Sequence, residues 1–170
     1  NRTISPAAAH DFNCLHVPAI TFAEVPALIL KERPDILHFS GHGNKDSLTF
    51  EDKSGRSTTV KGAAIIALLR ETRQFITCLF LNACHSADLA KEASEFIPYT
   101  IGFPDNIEDD LSESFSVAFY QTLSQGYSVP SCFELAKSTI MSGLEKERWP
   151  VLNQNESLPN FTKIIFRLPK

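Results

Sequence analysis

The stretch FITCLFLNAC, residues 75–84, decides how this chain folds. From Phe75 to Leu81 every residue but Thr77 is apolar. A run of this length with no polar alternation fits a strand buried on both faces, as in the middle of a parallel sheet. It discharges into Asn82-Ala83-Cys84. Upstream, DILHFSGHG (residues 35–43) repeats the pattern: Asp35 to Ser40 reads as a strand that runs into Gly41-His42-Gly43. Between them, Leu48 to Phe50 and Ser57 to Val60 flank Asp52-Lys53-Ser54-Gly55, the signature of a hairpin. Gly62 to Thr72 is predicted helical, with Ile65, Ile66, Leu68 and Leu69 apolar.

Further out, Thr21 to Glu32 reads as a helix in which Thr21 can cap, Glu24 follows three residues later and Pro34 ends the run. His85 to Phe96 is predicted helical and Tyr99 to Phe103 a short strand. Asp109 to Gln125 carries Leu111, Phe115, Ala118, Phe119 and Thr122 on one face and stops at Gly126; Ser128 to Leu144 is a further helix. Phe12 to Val17 and Thr162 to Leu168 have the character of short strands, and Glu145 to Asn160, polar with Pro150 and Pro159, that of a connecting loop. Strands alternating with helices imply an α/β fold, a mainly parallel sheet flanked by helices on both faces. Residues 1–170 form one expected domain, and because the first residue is Asn1 rather than Met, that domain is expected to be part of a longer chain.

Composition narrows the function. A net charge of −4, with Lys and Arg scattered, leaves no electrostatic footprint for nucleic acid. No run approaches the roughly 20 apolar residues of a membrane helix. Cys14, Cys78, Cys84 and Cys132 form no CxxC pair and no zinc spacing, so free thiols in a reducing cytoplasm are expected and no metal or cofactor. GxGxxG and GxxxxGKS are both missing, which argues against a nucleotide-binding domain.

In open α/β sheets, sites form at the carboxyl ends of strands. Here two strands end on reactive residues, His42 and Cys84. If the strands are parallel neighbours they lie roughly 5 Å apart, and an imidazole can take the proton of a thiol that is mostly protonated at neutral pH. Gly43 clears a side chain from beside the histidine, so the backbone N–H groups of Gly43 and Cys84 are candidates for an oxyanion hole. Taken singly, each motif is more often structural: a small buried cysteine, a tight Gly-His-Gly turn. His38, in the same strand, reads as a hydrogen-bonded core histidine, and His85 as structural or surface-facing. The acids Glu108, Asp109 and Asp110 do not have the spacing of a calcium-binding EF-hand loop.

HFSGHG at residues 38–43 together with LFLNACHSA at residues 79–87 resembles the CHAT branch of the caspase-like cysteine peptidases, the clan that also holds separases, metacaspases, gingipains and clostripain. The resemblance runs from about Thr21 to Ala136. The His-to-Cys separation is 42 residues, near the roughly 50 of caspases. IGFPDNIEDDLSESFSVAFYQTLSQG, residues 101–126, resembles the third conserved block. By position the resemblance implies a Cys-His dyad, Cys84 as nucleophile and His42 as general base and acid. It implies Asp109 as the acid of a specificity pocket that prefers Arg or Lys, with Asp105 and Asp110 as alternatives; Asp109 as a plain cap of a helix starting near Asp110 is the competing reading. Asn82 stands where metacaspases carry an acid, which leaves Ser40 and Asn82 as neutral polar wall groups. The resemblance further implies a protein substrate, an activating sensor module in the same or another chain, and roles such as bacterial defence or regulated death. The alternative from a different class is a non-catalytic interaction module on the same fold.

Overall fold

The computed structural model describes residues 13–158. The Thr162 to Leu168 run, Phe12, Pro159 and Asn160 lie outside them. Seven strands and five α-helices occur among the described residues. β1 (Ile36–Ser40), β5 (Cys78–Asn82), β6 (Tyr99–Gly102) and β7 (Val151–Gln154) form one sheet in the order β1-β5-β6-β7. The first three are parallel and β7 is antiparallel to β6, so the sheet is mixed and mostly parallel. β2 (Gly43–Asn44), β3 (Ser47–Glu51) and β4 (Ser57–Lys61) form a separate antiparallel sheet.

The reading of β5 as central and doubly covered holds: all five of its residues are buried. Their alternation sorts them into two cores. Cys78 and Phe80 join Phe115, Phe119 and Leu123 of α4 (Asp109–Ser124) and Cys132, Phe133 and Ala136 of α5 (Val129–Ile140). Leu79 and Leu81 join Ile65, Ile66 and Leu69 of α2 (Gly62–Thr72) and Leu89, Ala90 and Ala93 of α3 (Ala87–Ala93). Helices therefore cover both faces. The small sheet packs on the second core through buried Leu48 and Phe50, whose ring meets Phe39 at 5.1 Å and Phe22 at 5.3 Å.

Local chemistry explains most boundaries. α1 (Val25–Glu32) follows a 3-10 turn, Phe22–Glu24, in which the Glu24 carboxylate accepts from Thr21 N–H at 3.0 Å and from its hydroxyl at 2.7 Å. The hairpin turn is tied by Asp52, which accepts from Ser54 and Arg56; its carboxyl is held down to about 2, first by the Ser54 side chain and then by backbone N–H groups. Four expectations change. The helix after Cys84 starts at Ala87 rather than His85, because His85 is left-handed at φ 54° and cannot join an α-helical turn. The last helix ends at Ile140 and passes into a 3-10 turn. Residues 13–17 are irregular and exposed rather than a strand; Leu15 and Val17 find no core to enter. Glu145 to Asn160 is not all loop, since β7 pairs with β6 from Gly102↔Val151 to Tyr99↔Gln154. Val-Leu-Asn-Gln carries too little apolar alternation to announce a strand, and pairing to β6 makes it one.

Candidate active site

The register of β1 and β5 sets the site. Ser40 pairs with Asn82, and the ladder runs one step further through Gly41 N–H to the Asn82 carbonyl at 3.2 Å. His42 and Cys84 each lie two residues beyond that pair, on the same edge of the sheet. The His42 carbonyl accepts from Thr49 N–H at 2.9 Å, which ties the histidine loop to β3. A Cβ placed on Gly43 would come within 2.5 Å of the Cys84 carbonyl oxygen and 3.1 Å of the Ala83 Cβ. Glycine is required there by close approach, so the backbones of the histidine and cysteine loops press directly on one another. His42 is exposed and Cys84 half-buried, as a thiol open to a ligand must be.

All four cysteines are free. Burial pushes the Cys78 thiol up to about 12, with Cys132 as the lesser cause, and burial pushes Cys132 to about 11. Both are inert core residues.

Two residues that the sequence did not single out hold the cysteine turn. Ser86 is buried; its hydroxyl lies 2.9 Å from the Leu81 carbonyl and 2.7 Å from that of Ala83, and it accepts from Phe103 N–H at 3.1 Å. Gly102 lets β6 approach the same turn, since a Cβ there would fall 2.8 Å from the Ser86 carbonyl oxygen. A glycine inside a strand was the available signal for such an approach.

Helix α4 places the acidic candidates. The Asn82 amide, itself buried, donates to Ser116 Oγ at 3.1 Å and reaches the Ser112 carbonyl at 3.5 Å. One turn on, Tyr120 Oη meets His38 Nδ1 at 3.0 Å. α4 thus runs antiparallel to β1 and β5, with its first turn at the edge where those strands end. Asp109 lies in the first turn of α4, one turn before Ser112, and is exposed. It is the first residue of the helix; Glu108 is the N-cap and makes no side-chain cap bond. The reading of Asp109 as the cap of a helix starting near Asp110 is therefore corrected. Asp110 is exposed too, its carboxylate accepting from Leu111 N–H. Asp105 lies elsewhere, beside His85: the His85 N–H reaches the Asp105 carbonyl at 3.4 Å, and Nδ1 lies 3.9 Å from the carboxylate. Ser40 is exposed at the end of β1, opposite Asn82. The Arg148 guanidinium is bonded to Glu108 and to the Asn106 carbonyl.

His38 sits below the edge, stacked on Phe80 with ring centroids 4.3 Å apart and planes 4° from parallel. Burial lowers its pKa to about 4, so it is neutral in the fold. Among the described residues no group of three or more His, Cys, Asp or Glu side chains is arranged to hold a metal ion, and no helix is long and apolar enough to cross a membrane. No protein-family model and no curated protein matches this chain.

Proposed function

We propose that this α/β chain is a caspase-like cysteine endopeptidase of the CHAT kind, working through a Cys84–His42 dyad. One observation carries the reading: two parallel, hydrogen-bonded strands end side by side on a histidine and a half-buried cysteine, with Gly43 seated against the Cys84 carbonyl. Cys84 Sγ attacks the scissile carbonyl carbon as its proton passes to His42. The oxyanion so formed accepts from the backbone N–H groups of Gly43 and Cys84. Collapse breaks the C–N bond, and His42 returns the proton to the leaving amine. Water, deprotonated by His42, then attacks the thioester and releases the acid and the free thiol.

Asp109 supplies the negative charge of the specificity pocket, with Ser40 and Asn82 as its neutral wall, so a basic residue precedes the scissile bond. The neighbouring exposed acid Asp110 supports this preference. A protein substrate, an activating sensor module, a cytoplasmic setting and a part in defence or regulated death complete the proposal.

The test is labelling by an irreversible electrophilic peptide with Arg or Lys at the recognition position. Cys84 should be modified, Cys84→Ala should abolish the signal and His42→Ala should cut it about 100-fold or more. Asp109→Asn should weaken labelling by basic probes far more than by neutral ones. Labelling and cleavage that ignore both dyad substitutions would overturn the dyad, whereas a wild-type chain that is neither labelled at Cys84 nor cleaves any peptide is the non-catalytic interaction module.

A further inference from the structure

One peptide unit next to the nucleophile is clamped from two sides. The carbonyl of the Cys84–His85 peptide faces Gly43, where a Cβ would approach it to 2.5 Å. The N–H of the same peptide faces the other way, toward the Asp105 carbonyl at 3.4 Å. This orientation costs a left-handed backbone at His85, φ 54°, which a residue with a Cβ adopts only when its surroundings hold it there.

The surroundings are the loop after β6. Ala87 N–H donates to the Phe103 carbonyl at 3.0 Å and Phe103 N–H to Ser86 Oγ at 3.1 Å, so the loop and the cysteine turn are zipped together. Beyond the zip, the His85 imidazole faces the Asp105 carboxylate at longer than hydrogen-bond range, Nδ1 to Oδ1 3.9 Å. That carboxylate is fixed in turn by Asn106 N–H at 2.7 Å. From behind, Arg148 binds the Asn106 carbonyl at 2.6 Å and the Glu108 carboxylate at 3.1 Å, so the loop has an anchor of its own.

We infer that His85 and Asp105 are a positioning pair that holds the Cys84–His85 peptide, and with it the Cys84 N–H and thiol, in the orientation the histidine loop requires. The inference rests on the peptidase reading of Cys84 and extends it: neither residue touches substrate, and Asp105 acts on the nucleophile through His85 rather than on specificity. The pair is partly exposed, 35% and 49% for the two side chains, so its effect is moderate.

The experiment uses the full chain, with His85→Asn, Asp105→Asn and the double variant. Asparagine tolerates the left-handed backbone, so His85→Asn removes the imidazole and keeps the turn. Each single change should lower kcat on a fluorogenic Arg-peptide about two- to fivefold with KM unchanged, and the double should fall no further than the worse single. Hydrogen exchange of residues 83–87 should speed up in the same variants. Wild-type kcat in both singles, additive losses in the double, or unchanged exchange would overturn the pair. If the wild-type chain cleaves nothing, the peptidase reading fails, and the exchange measurement decides the pair alone.

Discussion

Acidification from pH 7 to pH 5 should cost this fold about 2 kcal/mol through a single side chain, His38. Its ring is stacked on Phe80, its Nδ1 meets Tyr120 Oη, and its buried Nε2 has no hydrogen-bond partner among the described residues. Burial lowers its pKa from 6.5 to about 4. In the unfolded chain the imidazole takes a proton below its ordinary value, whereas in the fold it resists until about pH 4. The unfolded state therefore binds more protons throughout this window. Stability is intact above about pH 6.5 and falls continuously as the pH drops through the window to about 4. At about 1.4 kcal/mol per pH unit the full loss is about 3 kcal/mol, of which about 2 is reached at pH 5. That is a large share of the roughly 5–15 kcal/mol that holds a domain together. His38→Phe is the control: it preserves the stack on Phe80 and deletes both the titration and the unpartnered nitrogen. Urea unfolding of both proteins at pH 7 and pH 5 measures the difference, with carboxylate effects common to the two cancelling. At pH 7 the variant should be the less stable by about 1–3 kcal/mol, because the Tyr120 hydroxyl loses its His38 partner, and between pH 7 and pH 5 it should lose about 2 kcal/mol less than the wild type. Equal losses in both proteins would refute the reasoning.

Gly43→Ala should cost about 1–3 kcal/mol in the same assay, because its Cβ must displace the Cys84 carbonyl or the Ala83 side chain; on the proposed peptidase reading cleavage should fall at least about tenfold, since the displaced atoms belong to the turn that carries Cys84. Among the cysteines, brief treatment of the native protein with iodoacetamide near neutral pH should modify Cys14 and Cys84 and spare Cys78 and Cys132, read residue by residue by mass spectrometry, because the latter two thiols are buried with raised pKa values.

The strand FITCLFLNAC was legible because hydrophobic composition alone decides that it is buried on both sides. The hairpin at residues 47–61 and the face of α4 were legible for the same reason: periodicity and turn chemistry are local. β7 was not, because Val151 to Gln154 become a strand only by pairing with β6, some 50 residues earlier in sequence. The start of α3 was misread for a reason that also lies elsewhere in the chain: the backbone of His85 is turned left-handed in a loop braced by Phe103 and Asp105. The acids divided in the same way. Their crowding from Asp105 to Asp110 is plain in the sequence, but only the fold sets Asp109 in the first turn of α4 and Asp105 beside His85.

By itself, then, the order of residues determined most of the strands and helices, though not β7 or the start of α3, that the sheet is mostly parallel, and that two strands run into His42 and Cys84. Each of these follows from chemistry within about ten residues of chain. Tertiary structure alone decided that Ser40 faces Asn82 in register, that Gly43 rests on the Cys84 carbonyl, and that the peptide after Cys84 is clamped between two loops. These depend on backbone contacts between residues roughly 20–40 apart, and a backbone carbonyl or N–H carries no mark in the sequence of the partner it will meet.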